Sequence, residues 1–208
     1  MAPWGGAEPL MGTNPIAVAI PAGKEAPVVL DIATSVASFG TIRTHAISGT
    51  PLPEGWVADR KTGWPITDAK KVSEGVLLPI GGYKGSGLAL IIGLLAGVLN
   101  GAAFGREVID FTVPGSEECN TGQFMIVVDV ARFQLPEVFA AEMDRHLQEW
   151  RTSARLPGVD AIRYPGEERR RRKEDRSKNG ISLTGQLIRQ LDDLSAGLEI
   201  KPLSLRLS

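Results

Sequence analysis

The residue pattern best suited to chemistry in this chain is a lysine set among glycines. Gly81, Gly82, Gly85 and Gly87 surround Lys84 in the run GGYKGSG, between an apolar stretch beginning at Leu77 and a long apolar segment that ends at Ala102. Glycines allow backbone conformations and close approaches that a side chain blocks. The pattern predicts a turn that opens a helix, with Lys84 just ahead of it. A helix N-terminus is already the positive end of the macrodipole, so a cation there is unfavourable unless an anion lies between them. A phosphate or carboxylate would supply that anion, and a tight turn serving the backbone alone accounts for the same glycines. Standard nucleotide motifs do not match. A P-loop needs Ser or Thr directly after its lysine, whereas Lys84 is followed by Gly85 and only then Ser86, which disfavours a P-loop phosphotransferase. GxGxxG is also missing, because Gly82, Gly85 and Gly87 place the close pair at the wrong end.

A second group is Asp31 with Thr34, Ser35 and Ser38, at the end of the apolar run PVVLDIA. Ligands in α/β architectures gather outside the C-terminal ends of strands, which makes these candidate site residues. Capping of the next helix calls for the same residue types. One cysteine, Cys119, excludes an internal disulfide and a cysteine-cluster metal site, and two histidines, His45 and His146, argue against a zinc site built mainly from imidazole.

The elements that must position these groups follow from hydrophobic periodicity and breakers. Residues 2–15 are dense in Pro and Gly and predict a loop closing over something. Strands are expected at 16–20 and 27–33, then a modest helix at 36–48 ended by Gly49. Residues 51–69 predict a long ordered excursion whose Trp56 and Trp64 need packing partners, and 70–75 a short polar connection. The 12-residue apolar run Leu88–Leu99 predicts a buried helix, since a membrane span needs about 20 residues. Two further strands are expected at 107–113 and 124–130, joined by a loop at 114–122, and an amphipathic helix at 136–153. After turns at 157–166, EERRRRKEDR at 167–176 fits a solvated helix with i to i+4 pairs, its acids interleaved with its bases. An anion- or nucleic-acid-facing patch is the alternative. A last amphipathic helix at 182–198 carries Leu183, Leu187, Leu191, Leu194 and Leu198 on one face.

Composition sets the limits. With 208 residues, 43% hydrophobic and 23% charged, the chain can bury a real core. A net charge of -1 argues against a general polyanion binder and so against nucleic acid as partner. The start has no basic segment followed by an apolar one, so a cytoplasmic location is expected, with no membrane association. The expected domains are a core at 1–153 and a helical segment at 154–208.

GTNPIAVAIP at 12–21, LDIATS at 30–35, LPEGW at 52–56, TD at 67–68, LLPIGGYKGSGLAL at 77–90, YPGE at 164–167 and NGI at 179–181 occur in this order over nearly the whole chain. The combination resembles the type-2 malate/L-lactate dehydrogenase family, which also includes ureidoglycolate, sulfolactate and diketogulonate oxidoreductases. The resemblance implies an α/β, mixed-sheet, non-Rossmann fold with C-terminal helices. It implies binding of NAD or NADP and hydride transfer between the nicotinamide and the carbon bearing a 2-hydroxy or 2-oxo group, and a homodimer with sites near the subunit interface. Position by position, it carries dinucleotide contacts onto Asp31, Ile32, Ala33, Thr34, Tyr83, Lys84, Pro165, Gly166 and Glu167. A diphosphate would then be the anion at Lys84. Glu167 could accept from a ribose hydroxyl or simply open a helix.

Two departures qualify the resemblance. Family members run considerably longer ahead of this region, and that part carries the acid/base histidine with its serine and arginine neighbours. The expectation is therefore a chain truncated at its N-terminus, holding the cofactor lobe without catalytic residues, its helical segment normally packed on the absent part. The rival expectation is a non-catalytic nucleotide-binding protein or a subunit completed by a separate half. Neither His45 nor His146 lies in a matching motif. Thr41 stands where the family often has lysine after the glycine equivalent to Gly40.

Overall fold

The computed structural model describes residues 1–110 and 118–206. The chain is α/β, with helices and two small antiparallel sheets, and divides into two compact units, Met1–Gly166 and Glu167–Ser208.

In the first unit, β1 (Ile16–Ile20) pairs antiparallel with β2 (Val28–Ile32), Ile16 opposite Ile32 and Ile20 opposite Val28. Ser38 caps α1 (Phe39–Ser48) by accepting from the Thr41 amide at 3.0 Å, and Gly49 ends it in the left-handed region at φ 68°. That left-handed end is the reason a glycine stands there. The excursion at 51–69 is more regular than its composition suggests. It contains β3 (Val57–Asp59), which pairs antiparallel with β4 (Gly75–Leu77). The stretch before β4, expected as a plain connection, is a 3-10 helix, Ala69–Glu74, capped by Asp68. Ala37, Ile42, Leu52, Val57 and Ile66 form the core between these pieces, and Trp56 packs against it. Trp64 does not, being 74% exposed, so one tryptophan suffices to order the excursion.

Helix α2 (Tyr83–Ala96) contains Lys84 in its first turn rather than ahead of it. The expectation of a buried helix is corrected here: only Gly85, Ala89 and Gly93 are buried, while Leu88, Leu90 and Leu94 are exposed and Ile91 is 54% exposed. The reason is the i, i+4, i+8 spacing of the small residues. They form a narrow stripe that lets the helix backbone approach its neighbours closely, and the large apolar residues point elsewhere. A Cβ on Gly85 would come within 2.1 Å of the Ile80 carbonyl oxygen, and one on Gly93 within 2.4 Å of the Phe104 ring. With the turn that follows, Tyr83–Asn100 is long and apolar enough by composition to cross a membrane, with mean hydropathy 1.4. Core helices of soluble proteins share that property, and the close approach of the small-residue stripe to Ile80 and Phe104 is a contact within a protein.

Residues 124–130 were expected as an interior strand and form none; they run without ladder pairing into a short 3-10 helix at Val130–Arg132, and Val127 is 95% exposed. A continuous apolar run becomes an interior strand only where neighbouring edges accept it, and neither of the two-stranded sheets pairs with this run. The expected strand at 107–113 is likewise absent where described. Gly105–Glu107 is a 3-10 helix, 108–110 are irregular, and 111–113 lie outside the described residues. Helix α3 (Pro136–Thr152) forms as its periodicity requires, with proline in its first turn and Leu147 buried. In the second unit, α4 (Glu167–Asn179) ends before Gly180 at φ 81°, and α5 (Gly185–Gly197) is capped by Thr184, whose hydroxyl accepts from the Leu187 amide at 3.2 Å.

Asp144 of α3 fastens the β1–β2 hairpin. Its carboxylate accepts from the backbone amides of Gly23, Lys24 and Glu25 at 3.0, 2.7 and 2.9 Å. The Lys24 amide first, then that of Glu25, holds the carboxyl below its ordinary range. A group whose folded pKa is depressed contributes stability that is present above the unfolded value and is lost as pH falls through the folded one. The Asp144→Asn variant should therefore unfold at lower urea concentration than the parent at pH 7, with the difference shrinking as pH is lowered below about 4. Urea midpoints across that pH range measure it.

Candidate functional site

The end of β2 and the glycine-rich turn, separated by more than forty residues in sequence, meet in space. Thr34 is the crossing point. It is fully buried, and its amide donates to the Thr13 carbonyl at 2.9 Å. Its hydroxyl donates to the carbonyls of Thr13 and Asn14 at 2.8 and 3.1 Å, and its own carbonyl accepts from the Ile80 amide at 2.9 Å. Next to it, Ser35 bridges Pro79, and the Val36 amide donates to the Leu78 carbonyl at 3.0 Å. Each polar atom of Thr34 thus has a partner inside the protein, so the residue positions its neighbours. Ser35 turns its hydroxyl to the Ala37 carbonyl at 2.7 Å, and Ser38 is the cap of α1. Thr41, where the family often has lysine, shares that cap, its hydroxyl 2.8 Å from the Ser38 hydroxyl. Asp31 is exposed on β2, with Ile32 and Ala33 half-buried beside it.

The turn itself is exposed at Gly81, Tyr83 and Lys84. Gly81 and Gly82 hold φ values of 59° and 66°, in the left-handed region that a side chain resists. Gly82 heads α2 with no side chain capping the helix and no acid in its first turn. The amide end of the helix dipole is therefore left to solvent together with the exposed Lys84 and Tyr83, a locus of positive potential. The expected covering loop at 2–15 lies over this turn. The Trp4 amide donates to the Ser86 hydroxyl at 3.0 Å, and a Cβ on Gly82 would come 3.2 Å from the Trp4 ring. Asn14, at φ 22°, donates from its side chain to the Ala89 carbonyl at 2.8 Å and so ties the same loop to α2. Trp4, Thr13, Asn14 and Ile80 were not singled out from sequence. The one signal for them was the short polar pair after Gly12, the kind of residues that tolerate unusual backbone angles.

Pro165 and Gly166 lie against the other end of β2. The Val29 amide donates to the Pro165 carbonyl at 3.0 Å, and Gly166, at φ 95°, packs so closely that a Cβ would come 3.1 Å from Val29. Tyr164 anchors this segment from within, buried, its hydroxyl donating to the Ala26 carbonyl at 3.3 Å. β2 is thus the common support: Pro165–Gly166 at Val29, Asp31–Ala33 next along the strand, and Thr34 joined to the turn that bears Tyr83 and Lys84. Glu167 opens α4. The two histidines have other surroundings. His45 holds its Nδ1 3.0 Å from the Pro51 carbonyl and stands edge-on to Trp56, and His146 lies between Glu142 and Glu149 on the exposed side of α3. Among the described residues no group of His, Cys, Asp and Glu is placed to hold a metal ion.

These segments in this order are those of a known family, since the sequence model described as malate/L-lactate dehydrogenase matches residues 1–192. The chain belongs to that family. It is 38% identical over 194 residues to a Delta(1)-pyrroline-2-carboxylate/Delta(1)-piperideine-2-carboxylate reductase of Pseudomonas putida, covering 92% of this chain and 54% of the relative. A (2R)-3-sulfolactate dehydrogenase (NADP(+)) of Chromohalobacter salexigens is 36% identical over 165 residues, covering 76% of this chain and 47% of the relative. The solved sulfolactate dehydrogenase of Methanocaldococcus jannaschii superposes with a TM-score of 0.81 at 37% identity, over 97% of this chain and 57% of that one. The chain thus spans about half the length of the relatives it matches. The malate/lactate dehydrogenase-like α/β fold expected from the motifs is confirmed by this superposition.

Thr34→Val keeps the shape of the side chain and removes its hydroxyl, leaving the Thr13 carbonyl with the Thr34 amide alone and taking a donor from the half-buried Asn14 carbonyl. Loss of a buried hydrogen bond of this kind costs about 1 to 3 kcal/mol. Chemical denaturation of the variant should show a destabilisation in that range.

Proposed function

We propose that this chain holds the nicotinamide dinucleotide, NAD or NADP, of a cytoplasmic oxidoreductase. The reaction moves a hydride between the nicotinamide and the carbon bearing the hydroxyl or oxo group of a small 2-hydroxy or 2-oxo acid such as malate or lactate. The observation that carries the reading is the uncapped glycine start of α2 with Lys84 in its first turn, joined through Thr34 to the end of β2, in a chain of this family. A helix start without a capping side chain or an acid, beside a lysine, fits the diphosphate of a dinucleotide.

In this reading Lys84 contacts the diphosphate and Tyr83 lies beside it. Asp31, Ile32 and Ala33 flank the cofactor along β2, and Thr34 holds the strand end against the turn. Pro165 and Gly166 extend the surface at Val29, and Glu167 accepts from a ribose hydroxyl. When bound, the nicotinamide supplies the hydride acceptor or donor; these residues bind and orient it. No residue is assigned to proton transfer on the substrate oxygen, since His45 is engaged with Pro51 and Trp56 and His146 with the acids of α3. That observation favours a second reading, nucleotide binding without turnover. NADH or NADPH binding by fluorescence titration, with no oxidation of malate or lactate, would distinguish it from the first.

The apolar face of α2, with Leu88, Ile91 and Leu94 exposed, supports a homodimer. Sedimentation should give twice the mass of the chain, and Ile91→Glu should return the monomer. For the site, removing a charge-assisted contact to phosphate costs about 1.5 to 3 kcal/mol. Lys84→Ala should therefore raise the dissociation constant for NADH or NADPH about 10- to 100-fold, and an unchanged constant would sink the diphosphate assignment.

A further inference from the structure

Trp4 is held more firmly than a 60% exposed side chain on a loop rich in glycine and proline requires. Ala2 is fully buried and donates its amide to the Leu77 carbonyl at 3.1 Å. The Gly6 amide donates to the Pro3 carbonyl at 2.9 Å and closes a turn in which Gly5 stands at φ 81°. Inside that turn the Trp4 amide donates to the Ser86 hydroxyl of α2 at 3.0 Å. The backbone is therefore fixed before the indole, after it and at it.

The ring itself lies flat on the glycine-rich turn. A Cβ placed on Gly82 would stand 3.2, 3.4 and 3.4 Å from the Cζ3, Cε3 and Cη2 atoms of the indole. Near-equal distances to three consecutive ring atoms belong to a point above the ring face, whereas a point in the ring plane stands distinctly closer to one of them. Gly82 thus carries one face of the indole, and its missing side chain makes the room. The opposite face is left as the exposed one. Lys84, also exposed, follows two residues after Gly82. The loop and the turn together set a flat aromatic surface beside a cation.

That pairing suits a ligand in which a planar base is joined to phosphate, because an aromatic side chain stacks on the π-face of any base and an ammonium group contacts phosphate. A surface already fixed before the ligand arrives needs little ordering to bind it. An apolar side chain from a second copy would cover the indole and leave the charge of Lys84 unanswered. We infer that Trp4 is a stacking shelf for a planar ring of the dinucleotide, holding the base while Lys84 holds the phosphate. The inference rests on the dinucleotide reading proposed above, to which it adds the residue that recognises the ring.

The test titrates the 208-residue chain and its Trp4→Leu and Trp4→Phe variants by calorimetry with NADH, NADPH, ADP, nicotinamide mononucleotide and inorganic pyrophosphate. Leucine keeps apolar bulk without a π-face, and phenylalanine keeps the face. Trp4→Leu should weaken dinucleotide binding about 5- to 150-fold with pyrophosphate affinity unchanged, while Trp4→Phe stays within about threefold of the parent. A matching loss with ADP names adenine as the stacked ring, and one with the mononucleotide names nicotinamide. Dinucleotide affinity that is unchanged in Trp4→Leu, or equally lowered in both variants, overturns the shelf. A loss that pyrophosphate shares overturns it too, since Trp4 then only supports the turn. A change in sedimenting mass on Trp4→Leu assigns the indole to a contact between copies and likewise overturns it. In each of these cases the parent still binds the dinucleotide and that reading stands. If the parent binds neither NADH nor NADPH, the dinucleotide reading falls and the shelf falls with it.

Discussion

The first unit depends on a buried hydroxyl. Thr34 follows β2 where two other stretches meet it: the loop at 13–14, whose carbonyls accept from its amide and hydroxyl, and the approach to the glycine-rich turn, where its backbone carbonyl accepts from the Ile80 amide. Buried carbonyls and amides without partners are costly, so a crossing of irregular backbone inside a protein needs a residue that can donate and accept at once. A threonine side chain is short enough to be enclosed and adds a hydroxyl donor to the backbone's own amide and carbonyl. From that crossing follow the placement of Ile80, the path of the turn after it, and the direction in which α2 leaves.

Helix α2 then meets a second constraint, the conflict between close approach and apolar coverage. Gly85, Ala89 and Gly93 let the helix come close to Ile80, Asn14 and Phe104, and any side chain at the two glycines would push it away. A stripe that narrow covers little of a helix whose residues are nearly all apolar, so the larger ones remain on the surface. The apolar run at 124–128 meets the same fate for a different reason, since a strand without a neighbouring edge has nothing to pair with. The relatives are nearly twice as long as this chain, and the fold shared with them at a TM-score of 0.81 is matched over 57% of the solved sulfolactate dehydrogenase.

Charge is arranged by the same geometry of the helix. At α2 a lone lysine joins the amide end of a helix that lacks a capping side chain. At α4 acids and bases three and four apart meet on the helix surface, Arg171 and Arg172 both donating to the Glu168 carboxylate, as the interleaved charges of the sequence predict.

Local signals were sufficient for much of this protein. The two strands of the first hairpin, α1 with its glycine stop, α3 with its proline start, and the polar α4 with its break at Gly180 follow from periodicity and capping, which act within a few residues. The family followed from the ordered motifs, and with it the α/β fold. Three things depended on the folded chain. The meeting of β2 with the glycine-rich turn is made by hydrogen bonds between residues far apart in sequence, for which no local pattern exists. The exposure of α2 and of 124–128 depends on what lies beside them, whereas periodicity reports only that apolar residues are present. The pairing of β3 with β4 inside a stretch rich in proline and glycine came from tertiary contact overriding weak local propensity. The sequence by itself thus determined the first hairpin, the helices set by local periodicity and caps, and the family; the tertiary structure decided which segments touch and which apolar runs pair as strands, because contact is a property of pairs.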